Sequence, residues 1–125
     1  MSEFINSPAA KAAGLPFSQA VRTNGVLYLS GAIGNLPGKM ELVPGGIAAE
    51  SRQMMENIAA VLKEAGAGFG DVFKCVVYLA DMAEWGAFNQ VYVPYFEAGR
   101  FPARTAIGAQ LILGARVEME CWAQG

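Results

Sequence analysis

The chain contains no histidine. That absence removes the Ser–His–Asp and Cys–His nucleophile arrangements and every histidine-bearing zinc site. Cysteine is scarce. Cys75 and Cys121 lie far apart, each in apolar, strand-like surroundings, which fits buried structural thiols better than a disulfide or a nucleophile. No block of Lys or Arg occurs, and the formal net charge is −2. Nucleic-acid binding draws most of its affinity from phosphate neutralisation, so this balance argues against a dedicated nucleic-acid binder. No apolar run approaches the roughly 20 residues of a membrane helix. The start, Met1-Ser2-Glu3-Phe4-Ile5-Asn6, lacks the basic-then-apolar pattern of a signal peptide. A cytoplasmic location without membrane attachment is expected. The chemistry left to such a chain uses Arg, Glu, Asp, Ser, Tyr, backbone groups and water.

What is present points to a small oligomeric domain. A length of 125 residues accommodates one core, so residues 1–125 are read as a single domain. Hydrophobic residues make up 54% without counting 15 glycines, above a usual share of about 45–50% that does count glycine. A small chain has much surface for its volume, so this surplus is expected to cover a subunit interface.

Local signals divide the chain cleanly. Thr23-Asn24-Gly25 separates the strand-like runs Ser18 to Arg22 and Val26 to Ser30, and Asn-Gly there predicts a tight hairpin. Glycines and prolines mark a loop from Asn35 to Gly46. Ala48, Met55, Ile58, Leu62 and Ala65 then follow a helical period, with Gly66 as C-terminal cap. Asp71 to Leu79, rich in β-branched and aromatic residues, predicts a strand. A second helix is expected over roughly Ala83 to Glu97, with Pro94 as a point of kinking. Strands at about Ala103–Leu111 and Arg116–Trp122, joined by a turn at Gly114, complete the order β-β-α-β-α-β-β. The fold class is therefore α+β: one sheet with two helices on one face. The other face is expected to be apolar and covered by a further subunit.

Few residues in this pattern can carry chemistry. Arg104 follows Pro102 in an apolar setting, and its planar fork suits a carboxylate or phosphate. Glu118 and Glu120 share one strand face. Glu118 could orient or deprotonate a water, and Glu120 is read as structural. From spacing alone, an internal Arg104–Glu pair is favoured over a ligand site. Ser30 and Gly31 close a buried strand, where glycine admits close approach of a ligand and serine can donate a hydrogen bond. Asn89 could face a pocket or solvent.

Four ordered segments change this balance: Leu15-Pro16-Phe17-Ser18-Gln19-Ala20-Val21, Leu29-Ser30-Gly31, Phe101-Pro102-Ala103-Arg104-Thr105 and Gly114-Ala115-Arg116-Val117-Glu118-Met119-Glu120. With Asn57, Asn89 and Tyr92, they resemble the RidA/YjgF family nearly end to end. The resemblance implies a chorismate-mutase-like (YjgF-like) fold with one mixed sheet, assembled as a homotrimer with a site in each cleft between neighbours. It implies a hydrolytic deaminase, of the 2-iminobutanoate/2-iminopropanoate type, that converts reactive enamine/imine intermediates such as 2-aminoacrylate to 2-oxo acids and ammonia. No metal or cofactor is expected. Carried over by position, Arg104 would clamp the substrate carboxylate and Glu118 would hold the attacking water. Phe17, Ser30, Gly31, Asn89 and Ala106 would line the pocket. Phe17 stands where the most studied branch has tyrosine, Ala106 where it has cysteine, and Ile112 where proline is common. The less polar pocket keeps open a non-catalytic, 2-oxo-acid-binding regulatory trimer. RNA cleavage, an activity attached to the family's older name, fits the acidic balance poorly.

Overall fold

The computed structural model describes all 125 residues as one mixed sheet and three α-helices. The strands are β1 (Glu3–Ile5), β2 (Ala20–Thr23), β3 (Val26–Leu29), β4 (Ala32–Ile33), β5 (Val72–Leu79), β6 (Ala103–Gly108) and β7 (Val117–Gln124). The helices are α1 (Pro8–Ala13), α2 (Gly46–Glu64) and α3 (Trp85–Tyr92). Strand order is β1-β2-β3-β7-β5-β6, with β4 paired to β7 beyond the end of β3. Only β5 and β6 run parallel, and β6 is the last strand on its side.

The hairpin forms as its sequence predicts. Asn24 and Gly25 both take positive φ, 50° and 76°, which matches the right-handed twist of β2 and β3. Helix α2 stops where Gly66 (φ 77°) reverses the chain. The Ala67 amide donates to Leu62 O at 2.8 Å and the Gly66 amide to Lys63 O at 3.0 Å, so the last carbonyls of α2 are satisfied by a Schellman closure.

Alternation along β7 sorts the two faces. Val117, Met119, Cys121 and Ala123 are buried against the helices with Cys75, Val77 and Leu79 of β5. Met54, Met55, Ile58 and Leu62 from α2 and Phe88 from α3 close this core from above. Phe88 is fully buried, and truncating such a residue to alanine costs about 3–5 kcal/mol. The helices of the main layer thus cover one face, as expected. The opposite face is not purely apolar, which corrects the reading from composition. Glu118, Glu120 and Trp122 on β7 and Lys74, Val76 and Tyr78 on β5 are half-buried there.

Two further differences have local causes. Helix α3 ends at Tyr92 rather than near Glu97, and Val93–Tyr95 tightens into a 3₁₀ turn containing Pro94. Proline lacks the amide that would continue the α-helical ladder. At the other end of the chain, β1 and α1 extend the predicted order. Ser7 caps α1 by accepting from the Ala10 amide at 3.1 Å, Pro8 occupies its first turn, and Gly14 closes it at φ 65°.

Candidate active site

The seven residues singled out from sequence fall into two groups on opposite faces of the sheet. In β7, Glu118 lies opposite Tyr78 of β5 and Ile33 of β4, on the face away from the helices. In β6, Arg104 is the lateral neighbour of the buried Cys75, and Ala106 that of the buried Val77. Arg104 and Ala106 therefore lie on the helix side. Asn89 joins them from α3.

The Glu118 end is a cavity of about 700 Å³ whose walls include Phe17, Ser30, Gly31 and Glu118. A Cβ built on Gly31 would overlap Glu118 Oε2, so the backbone lies directly against the carboxylate and only glycine leaves it room. Ser30 Oγ donates to Ser18 O at 2.6 Å. Its proton is thus already used, and the hydroxyl is left to accept from a ligand, reversing the donor role expected of it. Phe17 is exposed at the cavity wall. Asn57 of α2 pins the adjoining strand. Its amide donates to Ile33 O and Asn35 O, each at 3.0 Å, and to Asn35 Oδ1 at 3.1 Å, while its own oxygen accepts from Gln53 at 2.8 Å.

Burial, and then the charge of Glu120, push the Glu118 carboxyl above the ordinary range. Glu120 itself accepts a 2.6 Å hydrogen bond from Tyr78 Oη, an intrachain partner that fits its structural reading.

The Arg104 end is organised by aromatic faces. The guanidinium carbon lies 4.7 Å from the Tyr92 ring centroid, 5.4 Å from Phe88 and 5.7 Å from Trp85, within cation–π range of all three. These residues fall at i, i+3 and i+7 on α3 and so share one helix face. That spacing was present in the sequence and could have marked Trp85 and Phe88 as partners of an arginine. Arg104 makes no ion pair at 4.0 Å or less. The internal Arg104–Glu bridge favoured from spacing is therefore not formed. The strand register prevents it by placing Glu118 and Glu120 on the far face. On α3, the buried atoms Asn89 Oδ1 and Tyr92 Oη have no hydrogen-bond partner. Burial also pushes the Tyr92 phenol above its usual range. Beneath Arg104, the Cys75 and Cys121 sulfurs are 3.5 Å apart, free and buried. No three Cys, Asp or Glu side chains converge as a set that could hold a metal ion.

Sheet order, the parallel β5–β6 pair and the divided site define a class: a small α+β protein with a free arginine near one sheet edge and a carboxylate pocket on the opposite face. Residues 5–124 match the family model described as Endoribonuclease L-PSP. The chain belongs to that family, the RidA/YjgF proteins. It is 44% identical over 117 residues, 93% of this chain and 86% of the relative, to a 2-iminobutanoate/2-iminopropanoate deaminase of Mus musculus. Among solved structures, a conserved Rid-family protein of Yersinia pestis superposes with a TM-score of 0.92 at 34% identity, covering 100% of both chains. RidA from an Antarctic Psychrobacter gives 0.88 at 35% identity, covering 98% of this chain and 99% of that one. The YjgF-like α+β fold expected from the sequence motifs is the fold observed.

Proposed function

We propose that the chain is a deaminase that hydrolyses reactive enamine/imine intermediates of the 2-aminoacrylate type to 2-oxo acids and ammonia. The observation that carries this reading is the free fork of Arg104, bounded by three aromatic rings and bridged to no carboxylate. A half-buried, unpaired guanidinium is suited to a small carboxylate, which it can bind in bidentate fashion. Glu118 holds the water. It takes a proton as the water oxygen attacks the C=N carbon and passes it to the nitrogen, and the resulting carbinolamine collapses to the carbonyl as its hydroxyl proton is transferred to the departing amine. Water is consumed and ammonia is released, with no change of oxidation state. Burial raises the proton affinity of Glu118, which makes its carboxylate a better acceptor for this proton than an ordinary glutamate. The unpaired Asn89 Oδ1 suits the imine N–H. An imine is already electrophilic, so positioning supplies most of the acceleration.

Because Arg104 and Glu118 lie on opposite faces of one sheet, one chain cannot close both on one substrate. The reading therefore includes a homotrimer in which the Arg104 end of one copy meets the Glu118 end of its neighbour. It takes residues 1–125 as one domain acting in the cytoplasm without a cofactor. No helix is long and apolar enough to cross a membrane. A second reading, a non-catalytic trimer that binds 2-oxo acids, draws on Phe17 and Ala106, which leave the pocket short of a hydroxyl and a thiol. Endoribonuclease activity draws no support from the net charge of −2 or the missing histidine.

The test generates 2-aminoacrylate with a serine or threonine dehydratase and follows oxo-acid release. The chain should accelerate release, and Arg104→Ala should reduce kcat/KM about 10- to 150-fold, the equivalent of losing about 1.5–3 kcal/mol of charge-assisted bonding. No acceleration, or acceleration that survives Arg104→Ala, overturns the deaminase. Calorimetric binding of 2-oxobutanoate without turnover of any imine would favour the second reading.

A further inference from the structure

The two thiols beneath Arg104 take no part in the reaction proposed above. Cys75 of β5 and Cys121 of β7 are directly opposed across the antiparallel ladder, and their sulfurs lie 3.5 Å apart. Directly opposed residues of such a ladder have Cα atoms about 4.5 or 5.5 Å apart. Both values fall within the roughly 4.4–6.8 Å that a disulfide spans. Bond formation at about 2.05 Å asks the sulfurs to approach by only about 1.5 Å. Both residues belong to the chain's own core and neither is exposed, so their pairing does not depend on what covers the outer surfaces.

The pair is chemically unequal. The hydrogen bond with Cys121 outweighs burial and, with Tyr92, Arg104 and Lys74, holds the Cys75 thiol below its usual range. The same contact, together with burial, pushes the Cys121 thiol up. Cys75 is therefore the nucleophile of the two and Cys121 the proton-bearing partner. Cys75 also bears on Arg104 by two routes. Arg104 is its lateral neighbour on β6, the last strand on that side. The buried Tyr92 hydroxyl is near enough to Cys75 to favour its thiolate, and the Tyr92 ring centroid is 4.7 Å from the guanidinium carbon.

We infer that Cys75 and Cys121 form a reversible oxidation site: a hydroperoxide closes them into a disulfide, and the closed form holds a carboxylate at Arg104 more weakly. The Cys75 thiolate attacks one peroxide oxygen, an S–O bond forms as the O–O bond breaks, and the leaving oxygen takes up a proton. The Cys121 sulfur then attacks the Cys75 sulfur. The S–S bond forms, the S–O bond breaks, and the Cys121 proton leaves with that oxygen as water. With hydrogen peroxide, two thiols are oxidised by two electrons and the oxidant is reduced to two waters. The oxidant reaches Cys75 as the edge strand β6 opens locally. The effect rests on Arg104 binding a carboxylate, which the deaminase and the 2-oxo-acid-binding readings share.

The intact protein is treated with hydrogen peroxide, quenched with an alkylating agent under denaturing conditions and digested for peptide mass mapping. A peptide linked through Cys75 and Cys121 is the expected product, and dithiothreitol should remove it. Misplacement by about 1 Å can cost about 100-fold in rate, so the linked form should lose about tenfold or more in kcat/KM for imine hydrolysis. Calorimetric affinity for 2-oxobutanoate should fall with it, and dithiothreitol should restore both. Cys121→Ala, its fold verified by melting temperature, should keep its activity through the same treatment. Both thiols recovered alkylated, or Cys75 carried on to a sulfinic acid without the linked peptide, overturns the oxidation site, and that result on the wild type needs no variant. A linked form with unchanged kcat/KM and unchanged 2-oxobutanoate affinity overturns the effect on Arg104. An equal loss of activity in Cys121→Ala does the same. Reduced protein that binds 2-oxobutanoate but turns over no imine overturns the deaminase alone, and the effect of the bond is then read on affinity.

Discussion

Glu118 is held by close packing, whereas Arg104 is held by the faces of aromatic rings. At the first end the Gly31 backbone presses against the carboxylate, Ser30 is tied to Ser18 O, and Asn57 makes three donor contacts to residues 33 and 35. At the second, three rings of α3 surround a guanidinium that has no ionic partner. On the proposed reading, the difference is chemical. A carboxylate that must orient a water needs a rigid position, because misplacement by about 1 Å can cost about 100-fold in rate. A cation that must capture a charged ligand needs its fork unspent, and aromatic faces stabilise the charge without occupying the N–H donors.

Adding one methyl group is the sharpest way to break this contrast. Gly31→Ala should displace Glu118 and lower kcat/KM about 100-fold, with melting temperature changed by only a few degrees. Near-normal activity in that variant would show that Glu118 need not be fixed.

Glu118→Gln separates the carboxylate's chemistry from its effect on stability. Activity should be lost to a comparable extent. In the wild type, kcat/KM should fall as the solution is acidified, with a midpoint above that of an ordinary glutamate. The stability effect has the opposite sense. A raised native pKa means that the folded state binds the proton more tightly than the unfolded chain does. Stability therefore declines as pH rises through the window between the unfolded and folded values. Glu118→Gln should thus melt higher than the wild type at neutral pH, and the gap should close under acid conditions. Thermal melts across a pH series check this, and a gap that widens on acidification would contradict it.

The smallest effect is expected on stability alone. Asn57→Ala leaves Ile33 O and Asn35 O without their donor, a loss of about 1–3 kcal/mol. Urea unfolding should record that loss, and hydrogen exchange should quicken around residues 33–35 while the surroundings of Arg104 stay unchanged.

Most of the sheet was legible because its signals are local. The Asn24-Gly25 turn, the β-branched run of β5 and the alternation of β7 each state their structure within a few residues. Helix α1 carried signals of the same kind in Ser7, Pro8 and Gly14, but six helical residues with no buried position offer no apolar periodicity to read. The second helix was overextended because its aromatic pattern runs on past Tyr92, although Pro94 ends the ladder. The site was harder to read. Residue types and family spacing identified Arg104 and Glu118 individually, but their separation depends on β5–β6 register. That register joins segments whose order in the chain does not disclose which faces they share. Spacing alone therefore favoured a salt bridge that the sheet makes geometrically impossible. Trp85 and Phe88 escaped for a related reason: a helical aromatic stripe reads as core until the strand beneath it is known to carry a cation.

The placement of Arg104 and Glu118 on opposite faces has a genetic consequence. Two alleles, one encoding Arg104→Ala and the other Glu118→Gln, would each specify a strongly impaired protein when expressed alone. Co-expressed, the two kinds of chain would, in the proposed homotrimer, form some clefts with both lesions and others with neither. An intact arginine from one product would then face an intact glutamate from the other. The two defects would complement in a mixed assembly, and the recovered activity would depend on the ratio of the two gene products.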